Sequence, residues 1–155
     1  MQQRIDYKKI APEAFKAMLG VESYVRSSGL DHSLLELVKT RVSQMNGCAY
    51  CLDMHAKDAR AAGETEQRLY LLAAWRESPF YSQRERAALL WAENVTQLPV
   101  GGISDEVYAE VSKSFDEKAL IDLTMAIIAI NGWNRLNVPF RTEVGTYQPP
   151  RAHLK

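Results

Sequence analysis

Cys48, Cys51 and His55 fall within eight positions and are the residues of this 155-residue chain best suited to covalent chemistry. They belong to the stretch Asn46-Gly47-Cys48-Ala49-Tyr50-Cys51-Leu52-Asp53-Met54-His55, which holds both cysteines of the protein. A thiolate is a nucleophile, and a nearby imidazole can accept the proton that a thiol must lose before it attacks. A second thiol in reach can condense with a sulfenic acid to give a reducible disulfide.

A helix from Cys48 to Ala62, closed by Gly63, gives these groups one face. On a wheel of ~100° per residue, Cys48, Cys51, Leu52, His55, Ala59 and Ala62 share one arc. Cys51 and His55 are an i, i+4 pair on adjoining turns. Two thiols one helical turn apart, a rise of ~4.5 Å, are compatible with a disulfide. Cys48 lies at the helix start, where free amides favour a thiolate, whereas the imidazole favours Cys51. The apolar residues on the same arc predict a sheltered site.

Other chemistry fits these residues less well. Zinc held by Cys48, Cys51 and His55 would need Glu36, water, His32 or His153 as its fourth ligand. Three ligands on consecutive turns of one helix suit a tetrahedral ion poorly. No metal and no cofactor is therefore predicted. A thioredoxin-like arrangement lacks its βαβ context. Inert core cysteines are the remaining reading, since free thiols also pack as small hydrophobes.

The rest of the chain reads as helices that position this segment. The composition, 46% apolar and 25% charged with zero formal net charge, is that of a globular protein. It shows no basic excess to bind nucleic acid. No secretory h-region opens the sequence, and the longest apolar run, near Met125 to Ile130, is far too short to span a bilayer. A cytoplasmic protein without membrane partners is expected, and there a close cysteine pair is redox-active or metal-binding rather than structural.

Apolar spacing and stop signals predict an all-α, single-domain bundle of about six or seven helices over residues 1–155. A short extended lead precedes an amphipathic helix that ends at Ser27-Ser28-Gly29. Asp31 or Ser33 caps the next helix, whose stripe is Leu34, Leu35, Leu37, Val38, Val42 and Met45, with Asn46-Gly47 as its stop. On this helix Arg41 falls inside the stripe and Glu36 opposite it, as a solvated residue unless a subunit interface or the following helix covers that polar side. After the Cys helix come helices at Glu64 to Arg76, Ser82 to Gln97 and Ser104 to Phe115. The last, DEKALIDLTMAIIAINGWNRL, is predicted to be the central buried helix, interrupted at Gly132 and closed by Pro139, with the break Asn131-Gly132-Trp133-Asn134 assigned to packing in preference to lining the site. Tyr50, Met54 and Ala61 form a ridge on the far side of the Cys helix, assigned to packing. His32 and His153 are assigned to the surface, Trp75 and Trp91 to the core.

With the preceding helix included, the run becomes E-x4-R-x4-N-x-C-x-Y-C-x3-H, carried by Glu36, Arg41, Asn46, Cys48, Tyr50, Cys51 and His55. This pattern resembles the active-site signature of the alkylhydroperoxidase D-like (AhpD-like) proteins in the carboxymuconolactone decarboxylase superfamily. The resemblance implies a helical subunit that assembles into a homo-oligomer, a trimer or hexamer, and reduces hydroperoxides with its cysteine pair. It implies Cys51 as the peroxidatic thiol, Cys48 as the resolving thiol, and His55 with Glu36 as a proton relay. It also implies re-reduction by a dithiol, such as a lipoyl-bearing partner protein. Better-known AhpD proteins carry His between the cysteines, where this chain has Tyr50. A buried ion pair across a subunit interface would accommodate Arg41. Two alternatives fit the same residues: a non-enzymatic redox sensor or interaction subunit, and a decarboxylase-like enzyme acting on a cyclic lactone acid.

Overall fold

The computed structural model describes residues 2–149, which form an all-α fold with no strand among them. His153 lies outside the described residues. Eight α-helices occur in the described chain: α1 Tyr7–Ile10, α2 Pro12–Ser27, α3 His32–Met45, α4 Ala49–Ala61, α5 Glu66–Leu71, α6 Gln83–Gln97, α7 Asp105–Ser112 and α8 Glu117–Phe140. Seven match the sequence-based elements. The eighth, α1, is a single turn capped by Asp6 inside the lead predicted to be extended.

The central helix is α3, not α8. It packs against α4, α6 and α8, and its buried residues run unbroken from Leu34 to Thr40. α8 packs against α2, α3, α4 and α6, yet Ile121 and Ile128 stay 60% and 50% exposed along its outer side. An apolar sequence on all sides therefore did not identify the most enclosed helix. α3 is enclosed with Glu36, Lys39 and Ser43 each paired to a side chain of a neighbouring helix, which a hydrophobicity reading does not register.

Two further differences concern helix interruptions. Gly132 does not break α8, which is continuous from Glu117 to Phe140. A Cβ at Gly132 would lie 2.7 Å from Met18 Cε, so the missing side chain lets α2 approach α8. Pro139 sits in the last turn, and Arg141 ends the helix in the left-handed conformation at φ 54°. The segment after Thr65 is helical only to Leu71 and continues as a 3-10 turn, Leu72–Ala74. There the Arg86 guanidinium accepts the role of helix partner, donating to the carbonyls of Trp75, Arg76 and Ser78. Leu72, Trp75 and Tyr81 pack with Leu37 and Leu89 in a small core of their own.

The turn between α3 and α4 fixes the cysteine pair. Gly47, at φ 63°, donates to Gln44 O at 3.3 Å, and Cys48 N donates to Ser43 O at 3.0 Å. These are the two closing bonds of a Schellman motif, which needs a left-handed residue at the glycine position. Cys48 is thereby both the residue that closes α3 and the N-cap of α4.

Candidate functional site

α4 presents Cys51 and His55, both buried, to a cavity of about 650 Å³ whose lining also includes Glu36, Lys39, Tyr50, Met54 and Trp133. Cys48 is buried behind this lining, and both cysteines are free thiols. The ridge of Tyr50, Met54 and Ala61, predicted to pack on the far side, instead borders the same cavity. A helix wheel separates that ridge from the sulfurs, but the cavity is wide enough to reach both.

Glu36 corrects the largest expectation about the site. It is 5% exposed rather than solvated, and its Oε2 lies 2.8 Å from His55 Nδ1. α4 folds back over the polar side of α3 and supplies the partner within one chain. Burial pushes the Glu36 carboxyl up, but the His55 hydrogen bond and charge, with Lys39 and His32, hold it below its ordinary value. An ionised Glu36 accepts the hydrogen on Nδ1, which leaves Nε2 as the basic nitrogen. His32 is exposed as predicted, with Nε2 3.9 Å from Glu36 Oε1. Lys39 is also buried and pairs with Glu22; burial pushes the Glu22 carboxyl up, but Lys39, with Arg26 and His55, holds it below its ordinary value.

Arg41 likewise finds its partner inside the chain rather than across an interface. Its Nε lies 2.7 Å from Glu93 Oε1, and Nη1 donates to Gln44 at 3.2 Å. Glu93 also accepts from Trp75 Nε1 and Arg76. This network braces α3 against α6, away from the cavity lining.

Of the α8 asparagines at the cysteine pair, Asn137 was missed in the sequence, and Asn134 belongs to the break that had been assigned to packing. Asn137 Nδ2 donates to Cys51 Sγ at 3.3 Å. Its Oδ1 accepts from Tyr7 Oη at 2.9 Å and Thr142 Oγ1 at 2.7 Å, so the amide is held with its NH₂ toward sulfur. One turn earlier, Asn134 Oδ1 accepts from Asn46 at 2.8 Å while its Nδ2 faces Ser43 Oγ at 3.1 Å. The pair N-x-x-N on α8 thus faces the pair C-x-x-C on α4. Its only sequence signal was the polar break in an otherwise apolar helix.

The two thiols behave as one coupled acid. The hydrogen bond from Cys51 outweighs burial and, with the amides of Cys51 and Tyr50 and the Asn134 side chain, lowers Cys48 to about 7. Cys51 moves upward because its proton is shared with Cys48, and burial and the Cys48 charge add to this; Asn137 opposes it. Thiolate absorbance at 240 nm is expected to rise by one equivalent with a midpoint of about 7, the second thiol being shifted upward from its ordinary value. Cys51→Ala should move the Cys48 midpoint upward, and joint titration near ~8.5, the free-cysteine value, would refute the coupling.

Among the described residues, Glu36, His55 and Asp58 bring potential metal ligands within 4.8 Å of one another, and neither sulfur belongs to that group. Two of the three are already paired as Glu36–His55, and Asp58 accepts from Tyr147 at 2.7 Å. The segment after α8 is tied to α4 by this bond and by Lys57 Nζ donating to Tyr147 O at 3.0 Å, which brings Tyr147 to the cavity wall.

The helix order and the enclosed dithiol define the helical fold of AhpD-like proteins. The family model for the carboxymuconolactone decarboxylase family matches residues 12–94, from α2 into α6. The uncharacterised protein YdfG of Bacillus subtilis is 49% identical over 138 residues, 89% of this chain and 94% of its own. A crystal structure from Agrobacterium tumefaciens, of a protein of unknown function linked by name to the antioxidant defence protein AhpD, is 44% identical. It superposes with a TM-score of 0.89 over 94% of this chain and 100% of its own. The debrominase Bmp8, 20% identical, shares the fold with a TM-score of 0.76, over 87% of this chain and 73% of its own. The chain belongs to the carboxymuconolactone decarboxylase family, as an AhpD-like member.

Proposed function

We propose that the protein is a thiol-dependent peroxidase that reduces organic hydroperoxides through Cys51 and Cys48. The observation that carries this reading is the Glu36–His55 pair set beside a cavity-facing thiol whose partner thiol is acidified. The dithiol holds one proton and one charge in its reactive state. The charge moves to Cys51 as the proton passes to Cys48, and the Asn137 NH₂ favours the anion there. Cys51 sulfur attacks the outer peroxide oxygen, the O–O bond breaks, and the departing alkoxide takes a proton to leave as alcohol. His55 Nε2 is placed to supply or accept that proton, with Glu36 stabilising the imidazolium.

Cys51 is then a sulfenic acid. The Cys48 sulfur attacks it, hydroxide departs and is protonated to water, and a Cys48–Cys51 disulfide remains. An external dithiol, such as a lipoyl group on a partner protein, restores both thiols by exchange and becomes a disulfide itself. No resident cofactor or metal enters this cycle. The exposed Ile121 and Ile128 on α8 support a homo-oligomer in which a second copy covers them.

The test is steady-state consumption of cumene hydroperoxide by the purified protein with dihydrolipoamide as reductant. Turnover together with a Cys48–Cys51 bridge mapped by mass spectrometry is the expected result. Background turnover, with thiols that stay reduced in excess peroxide, would overturn the reading.

A further inference from the structure

The cavity holds five basic side chains, and their pairing is uneven. At its polar end Lys39 and Arg26 both pair with Glu22, while His55 and His32 face Glu36. Lys8 lies at the aromatic end, with Nζ 5.5 Å from the Phe15 ring centroid and 5.8 Å from that of Tyr50. Among the described residues no carboxylate pairs with it, because Asp6, the nearest in sequence, is engaged by Lys9 at 3.3 Å. Two rings hold the ammonium at the wall, and Tyr50 is the neighbour of Cys51 in the chain.

We infer that Lys8 is an anion-binding subsite and that the substrates are amphipathic hydroperoxides, an apolar hydrocarbon body carrying a carboxylate. This rests on the peroxidase reading for its chemistry but on the cavity alone for its binding. A volume of about 650 Å³ admits a ligand far larger than hydrogen peroxide. Phe15, Leu19, Met54 and Trp133 supply apolar wall for the hydrocarbon. The carboxylates of the polar end already have cationic partners, so a second anion is better received at Lys8. A charge-assisted contact there favours the acid over its neutral ester, and salt weakens the preference because Lys8 is exposed.

Two measurements test this. In kinetics, linoleic acid hydroperoxide is compared with its methyl ester. The expected kcat/KM ratio is about two- to fivefold in favour of the acid at low salt. Lys8→Gln should bring the ratio close to unity, and Lys8→Arg should restore it. In calorimetry, octanoate is compared with octanol on the reduced protein, with the same order of preference and the same response to the two variants. Equal binding of octanoate and octanol, or a preference that survives Lys8→Gln, would overturn the subsite. Octanoate preference without turnover of either hydroperoxide would sustain the subsite and overturn the peroxidase reading instead.

Discussion

Serine in place of Cys51 is expected to lower hydroperoxide turnover by at least about a thousandfold, the scale on which loss of a covalent nucleophile acts. Cys51 is the sulfur that borders the cavity, whereas Cys48 is buried behind it. Cys48→Ser should behave differently. It should consume about one equivalent of peroxide and then stop, leaving a Cys51 sulfenic acid that dimedone traps. The check is the amplitude of peroxide loss in a single-turnover experiment, followed by mass analysis. Sustained activity in Cys51→Ser would remove Cys51 from the chemistry and, with it, the assignment of roles within the pair.

Glu36→Gln is expected to lower kcat/KM by about a hundredfold, within the range general acid–base groups contribute. The substitution keeps the size of the side chain and an acceptor for His55 Nδ1. What it removes is the negative charge that supports a protonated imidazole. A second readout separates this from simple damage to the fold. Because the folded Glu36 carboxyl is held below its ordinary value, it contributes stability that is present above about pH 4.3. That contribution is lost as the pH falls through the folded value. Urea unfolding at pH 7 and in acid should therefore show a smaller pH dependence for Glu36→Gln than for the parent chain. An unchanged pH dependence combined with full activity would leave Glu36 without the assigned role.

The bounds of the Cys helix and its stop signals were legible from local sequence because caps and turns are local interactions. Asn46-Gly47 closed α3 as predicted, and the one-face arrangement of Cys51 and His55 needed only the helical period. Glu36 was misplaced because a wheel describes one helix against a single apolar side. α3 is enclosed on several sides, and its polar face meets α4. Arg41 was singled out as a charge within an apolar stripe in need of a partner, but that partner, Glu93, stands 52 residues away. Asn137, 86 residues from Cys51, and Tyr7, 130 residues from Asn137, were invisible for the same reason. The segment beyond Thr65 is regular helix only to Leu71 and tightens into a 3-10 turn at Leu72–Ala74, a change that propensity does not report.

The charges carried on α3 have a consequence for how the protein could be improved or degraded. Glu36 and Lys39 sit in the helix at the centre of the fold, each desolvated and each paired with a side chain of a neighbouring helix. Well-packed apolar replacements of buried ion pairs are often neutral or stabilising. Selection for heat resistance alone would thus tend to erase Lys39–Glu22 and Glu36–His55 together, yielding a sturdier bundle with a greased, inert cavity. On the proposed chemistry, resistance to unfolding and reactivity would compete for the same few positions.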